Sequence, residues 1–306
     1  MRSRAEFENV AVVVHRLSVL LDAGVAPGSA WRHAASGIDS PVASAVAAGV
    51  EGGAVGWELV ERLLEARSLA PPGERQAWSA MGAAWAVASE SGAPLAPTLQ
   101  RLAEVLRALA QQRRNVEVAL AGPVATSRIV LALPAVGLVF GMLLGFDALR
   151  ILATTPPGWV CLAAGGLLIG CGARWNRRLI HAALTLDATP GLALELLAIA
   201  VSGGASLDRS RELVDRALTD ASLDQLDSSA DPVLTFSRAA GVPAAGLLRA
   251  EAEEHRRIAS AEGERKAVEL GSRLLLPLGV CILPSFVALG VAPIVLSIIS
   301  STAIAV

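Results

Sequence analysis

The sequence predicts an all-α integral membrane protein with two cytoplasmic helical-bundle domains and three transmembrane helices. Three observations carry this. Ile129–Phe146, Ile151–Ala173 and Leu274–Val306 are apolar runs without a single Asp, Glu, Lys or Arg. About 18 or more such residues can cross a hydrocarbon core of roughly 30 Å. The rest of the chain shows helical periodicity and no alternating strand pattern. A helix–glycine–helix signature also occurs in both of the charged blocks that the runs flank.

The first block, 1–128, reads as six helices. In Phe7–Ala23 the residues Val10, Val14, Leu17 and Leu21 form one stripe, and Gly24 ends the helix. Glu6 and Glu8 precede the short apolar stretch Val10–Val14, and His15 and Arg16 follow it. This is an amphipathic helix, because a secretory signal needs a longer unbroken apolar segment. Pro27 opens the second helix, where its missing N–H costs nothing. Two short helices follow around Val42–Ala48 and Trp57–Ala66, between Pro41, Gly56 and Pro71-Pro72. Gly73–Glu90 is the fifth, ended by Ser91-Gly92. Pro94 opens the longest, with Leu95, Leu99, Leu102, Leu106 and Leu109 on one face and Arg101, Glu104 and Arg107 on the other.

A membrane hairpin spans 129–174, with helices at about 129–149 and 157–173. A second, shortened helical domain covers 175–273, and 274–306 is the C-terminal span. The second block repeats the first. Leu17–Pro27, with Gly24, aligns with Leu197–Leu207, with Gly204, 180 positions later. Gly92 and Pro94 align with Gly241 and Pro243, 149 positions later, and Leu133-Pro134 aligns with Leu283-Pro284. The unequal shifts mean that about two helices are missing from the middle of the second block, where the polar stretch Asp220–Asp231 stands.

Composition narrows the function. Hydrophobic residues make up 53% and mean hydropathy is +0.53, while the net charge of −2 implies no nucleic-acid partner. Cys161, Cys171 and Cys281 all lie in apolar runs and read as small hydrophobes. Arg113, Arg114, Arg128, Arg174, Arg177, Arg178, Arg265, Lys266 and Arg273 flank the block-facing ends of the runs. An excess of positive charge marks the cytoplasmic side, so both blocks are expected inside and the C-terminus outside. Ion-coupled transport would require ionisable groups within the spans, and these have none.

Gly137, Gly141 and Gly145 in the first run, and Gly166 and Gly170 in the second, are spaced four apart and are candidates for close helix packing. Pro277, Pro284 and Pro293 recur in the third run, where proline is tolerated in a packed bundle. No phosphate-cradling loop or nucleophile elbow is present. Glu251 and His255 are spaced for a shared metal, but two ligands make a weak site, and 249–266 reads as an exposed charged helix face. Neither enzyme activity, a cofactor nor a metal is expected.

The segments Leu17–Trp31, Ser91–Leu99 and Leu197–Leu213, and the ending Arg273–Ile294, resemble the F-domain family of type II secretion and type IV pilus systems. The tight-adherence (Tad) pilus branch looks most similar. The resemblance implies a multi-pass platform protein of the inner, or plasma, membrane. It implies a cytoplasmic assembly ATPase, pilin-like subunits and other F-domain platform subunits as partners, in a homo- or hetero-oligomer. The alternative from another class is a small membrane permease or channel subunit.

Overall fold

The computed structural model describes residues 6–38, 40–51, 57–143, 154–184, 189–226, 228–293 and 295. Among the described residues the regular structure is entirely helical. The first block forms α1 (Glu6–Asp22), α2 (Pro27–Ala35), α3 (Pro41–Glu51), α4 (Trp57–Ala66), α5 (Arg75–Ser91) and α6 (Leu95–Leu143). A 3₁₀ turn, Arg67–Leu69, follows α4. Next come α7 (Pro156–Leu184), α8 (Leu192–Ser202), α9 (Leu207–Ala221), α10 (Ala230–Ala240) and α11 (Ala244–Arg273). Among the described residues three helical stretches are long and apolar enough to cross a membrane: Leu95–Gly137, Pro156–Ile180 and Ala244–Val291.

The turns follow from local chemistry. Gly24, Gly92, Gly204 and Gly241 all take positive φ, between 66° and 89°, a region that costs an L-residue energy and glycine almost none. Val25 N–H donates to Leu20 O at 3.0 Å and Val242 N–H to Ser237 O at 3.3 Å, the six-to-one bond of a Schellman ending. Ser222, at φ 53°, closes α9 in the same way, with Leu223 N–H on Leu218 O at 2.9 Å.

The chain divides into two compact units. The first comprises Met1–Arg114 and Asp187–Ser260, the second Asn115–Leu186 and Ala261–Val306. The sequence reading drew separate bundles at 1–128 and 175–273; the structure instead gathers helices of both blocks around one core. The reason lies in α5 and α8. Every residue from Ala77 to Ala88 of α5 is buried, and every residue from Leu194 to Ala200 of α8. A helix that buries its whole circumference must be covered on all sides. α5 packs against α1 and α4 of its own block and against α8 and α9 of the other. Trp31 and Trp85 stack obliquely in this core, ring centres 5.9 Å apart.

In the second unit, Val116 and Leu120 of α6 pack with Ala267, Leu270 and the following Leu274, backed by Leu179 and Ile180 of α7. Asn176 of α7 donates to the Ser127 hydroxyl of α6. Beyond α11 the third run alternates short α pieces, Leu275–Pro277 and Leu283–Phe286, with π-helical turns, Leu278–Ile282 and Val287–Val291. Proline cannot donate a backbone bond, and its ring clashes with the carbonyl four residues back. A widened turn ahead of Pro284 relieves that clash. Ser285, fully buried, donates to Ile282 O at 2.7 Å.

Candidate functional site

Among the described residues the most deeply buried carboxylate is in the first unit. Glu195 is the only charged residue in α8 and is 1% exposed. Its helix is fixed by close backbone approaches at both ends. Gly191, at φ 73°, precedes α8, and a Cβ there would lie 2.4 Å from the Ala252 carbonyl oxygen of α11. Gly203 follows α8, and a Cβ there would lie 2.4 Å from the Ser91 carbonyl oxygen at the end of α5. No side chain fits in either place, so α8 is held where Glu195 meets its partners.

Those partners are three arginines. Arg101 of α6 donates from Nε to Glu195 Oε1 at 3.1 Å, and from Nη1 to Glu104 at 3.0 Å. Arg249 Nε of α11 stands 3.8 Å from Oε1, and Arg256 Nη2 of α11 stands 3.7 Å from Oε2. Arg249 also donates to Ser202 Oγ at 3.3 Å. Arg256 is 10% exposed, and its burial depresses its pKa despite the attraction of Glu195. Burial works against the charge of Arg101 too, but Glu195 and Glu104 outweigh it and its pKa rises.

The arrangement is a clamp: one carboxylate on α8 ties α6 to α11. Glu195 and Arg256 are held far from water and neither leaves its partner without a large desolvation cost, whereas Arg101 and Arg249 are a third or more exposed. Sequence reasoning read 249–266 as a solvated face and placed Arg101 on a polar face; Arg256 is buried instead. A signal did exist, in the lone acid at the centre of Leu192–Ser202.

The glycines singled out from the sequence fall in different places. Gly137 of α6 sits under Phe286, whose ring would lie 2.6 Å from a Cβ there. Gly166 and Gly170 of α7 have no neighbour within 4 Å of a Cβ. Their unremarked neighbours make the close contacts: Gly165 faces Leu289 at 2.4 Å, and Gly172 faces Cys281 Cβ at 3.1 Å. Gly141 lies in α6, and Gly145 lies outside the described residues. Pro27 opens α2, and Pro94 and Pro243 immediately precede α6 and α11. His255 pairs with Glu251 at 3.6 Å, and no group of three or more potential metal ligands occurs among the described residues.

Fold and site together define a helical, multi-span membrane protein whose two longest helices share a buried ionic clamp. Residues 13–143 match the family model of type II secretion system (T2SS), protein F. This segment, from most of α1 to the end of α6, is similar to the T2SS protein F domain. The domain match supports a membrane platform protein of secretion or pilus machinery in general. No curated protein matches the chain.

Proposed function

We propose that this chain is a non-enzymatic platform subunit of a type II secretion or Tad-like type IV pilus machine, relaying the motion of a cytoplasmic assembly ATPase to pilin insertion. In this reading the first unit lies in the cytoplasm and other F-domain subunits complete the platform. The Glu195 clamp is the observation that carries it. α6 and α11 both begin in the first unit and run on into the apolar stretches of the second. Glu195 binds both through Arg101, Arg249 and Arg256. A displacement applied to either helix at this point drags the other, because separating them would leave the buried Glu195 short of its counter-ions.

The test is co-purification of the full-length protein in detergent with the P-loop ATPase and pilin-like proteins of its own cell. Both are expected to be retained, with no ATP hydrolysis by the chain alone. Cysteines placed at Arg67 and Ser228 should stay protected from an impermeant reagent in intact cells. Solute flux through reconstituted protein that retains neither partner would support the permease reading instead.

A further inference from the structure

Where α7 leaves its apolar run it carries Arg174, Trp175, Arg177 and Arg178, all exposed. Arg174 and Arg178 stand one turn apart on one side of the helix, and Arg177 follows Arg174 by three residues. Side chains at these spacings have Cβ atoms about 5–6 Å apart, and like charges so placed repel one another. Nothing in the helix relieves that repulsion, because Pro156–Leu184 contains no Asp or Glu. Among the described residues the three guanidiniums make no ion pair and no hydrogen bond. The basic residues at the end of α11 differ, since Arg265 and Arg273 both pair with Glu269, at 3.1 and 3.4 Å. Asn176, within the cluster, donates to the Ser127 hydroxyl and fixes this stretch of α7 against α6. Arg128, next to Ser127, is exposed and has no partner among the described residues either.

The position of the cluster determines what can neutralise it. No charged residue occurs between Ile151 and Ala173, and Trp159, Val160, Leu162 and Leu167 are exposed on that part of α7. An exposed apolar helix side that ends in arginines and in Trp175, 39% exposed, meets lipid chains along its length and head groups at its end. Guanidinium groups bind phosphate oxygens through two parallel hydrogen bonds. A choline or ethanolamine head group would bring its own cation to a helix that offers no carboxylate, so a head group of net negative charge fits better than a zwitterionic one. Gly170 and Gly166 continue the row of Arg178 and Arg174 at the same spacing, each with open space at its Cβ, and leave room for an acyl chain beside the helix. We propose that Arg174, Arg177 and Arg178 form a binding site for the phosphate of an anionic phospholipid. Such a site requires α7 to lie in a bilayer, whichever machine the chain serves.

Full-length protein, stripped of lipid in detergent, is titrated with phosphatidylglycerol or with phosphatidylcholine of the same acyl chains, and bound lipid is counted by native mass spectrometry. Phosphatidylglycerol should bind about tenfold more tightly or better, and each of Arg174→Gln, Arg177→Gln and Arg178→Gln should weaken it roughly fivefold, the usual contribution of one basic residue beside anionic lipid. The double variant Arg174→Gln/Arg178→Gln should lose the preference over phosphatidylcholine, with thermal unfolding in lipid-free detergent as the check that it is folded. Arg273→Gln removes an equal charge at the end of another apolar run, where Glu269 already pairs with it, and should leave binding unchanged. Equal affinity of the unaltered protein for the two lipids overturns the proposal, as does a dimer that excludes both. A loss from Arg273→Gln as large as that from Arg174→Gln reduces the effect to general surface charge and overturns the site. Competition by glycerol phosphate at the same concentration as the lipid overturns the lipid as the source of the phosphate.

Discussion

Replacing Glu195 with Gln removes the charge that three arginines share and strands Arg256, the most deeply buried of them. Losing one partner of a buried ion pair costs about 3–5 kcal/mol, because the other charge is left without water or a counter-ion. The full-length protein carrying Glu195→Gln should therefore unfold in detergent at markedly lower temperature or denaturant concentration. Arg249 is more exposed, and an exposed pair contributes roughly 0–1 kcal/mol, so Arg249→Ala should lose no more than that. Thermal unfolding of both variants checks the order; equal and small losses would remove the clamp from the account. Arg67 makes a related tie nearer the surface. Its guanidinium donates to Ala221 O and, at 2.9 Å, to Ser79 Oγ, joining the end of α9 to α5.

Among the elements, the spans pack through glycines other than the regularly spaced set. Gly137→Leu drives a branched side chain into the Phe286 ring, and overpacking of this kind costs typically about 1–3 kcal/mol. Gly166→Ala meets open space and should be nearly silent. Detergent half-life of the two variants at fixed temperature checks this, and a Gly166→Ala as damaging as Gly137→Leu would contradict the packing described. The contrast also shows what a sequence discloses. The six helices of the first block were legible because glycine, proline and a 3.6-residue stripe act locally. The repeat was legible for the same reason, and Gly24, Gly92, Gly204 and Gly241 share one backbone conformation. Partners were not legible. An alanine-rich helix such as α5 announces that it is covered but not by what, and the four-residue glycine spacing does not say which face turns inward. The prolines of the third run read as tolerated in a packed bundle, and the sequence did not disclose the π turns that stand among them.

At the scale of the molecule, the first unit's core draws on both blocks. Val14, Leu17, Leu99 and Leu102 are buried in it, as residues 1–120 taken alone would suggest, but so are Leu196, Leu197, Leu213 and Leu218. A fragment of residues 1–120 therefore bares the side of α5 that α8 and α9 cover. It should be partly helical yet prone to aggregate, whereas 1–114 joined by a flexible linker to 187–260 should be soluble and cooperatively folded. Circular dichroism and size-exclusion chromatography of the two distinguish them, and a monomeric, cooperatively melting 1–120 would refute the shared core.

That shared core also sets an order of events during synthesis. Its first portion leaves the ribosome ahead of residues 115–186, which hold the later part of α6 and all of α7. At about 5–20 residues per second, several seconds separate the two portions. For that interval α5 waits with its inner side uncovered while residues 115–186 are made. A nascent chain stalled near residue 186 should thus bind a hydrophobic-surface chaperone strongly, and one extended past residue 260 should release it. Synthesis of the intervening apolar helices becomes a step that the first unit must await before it can close.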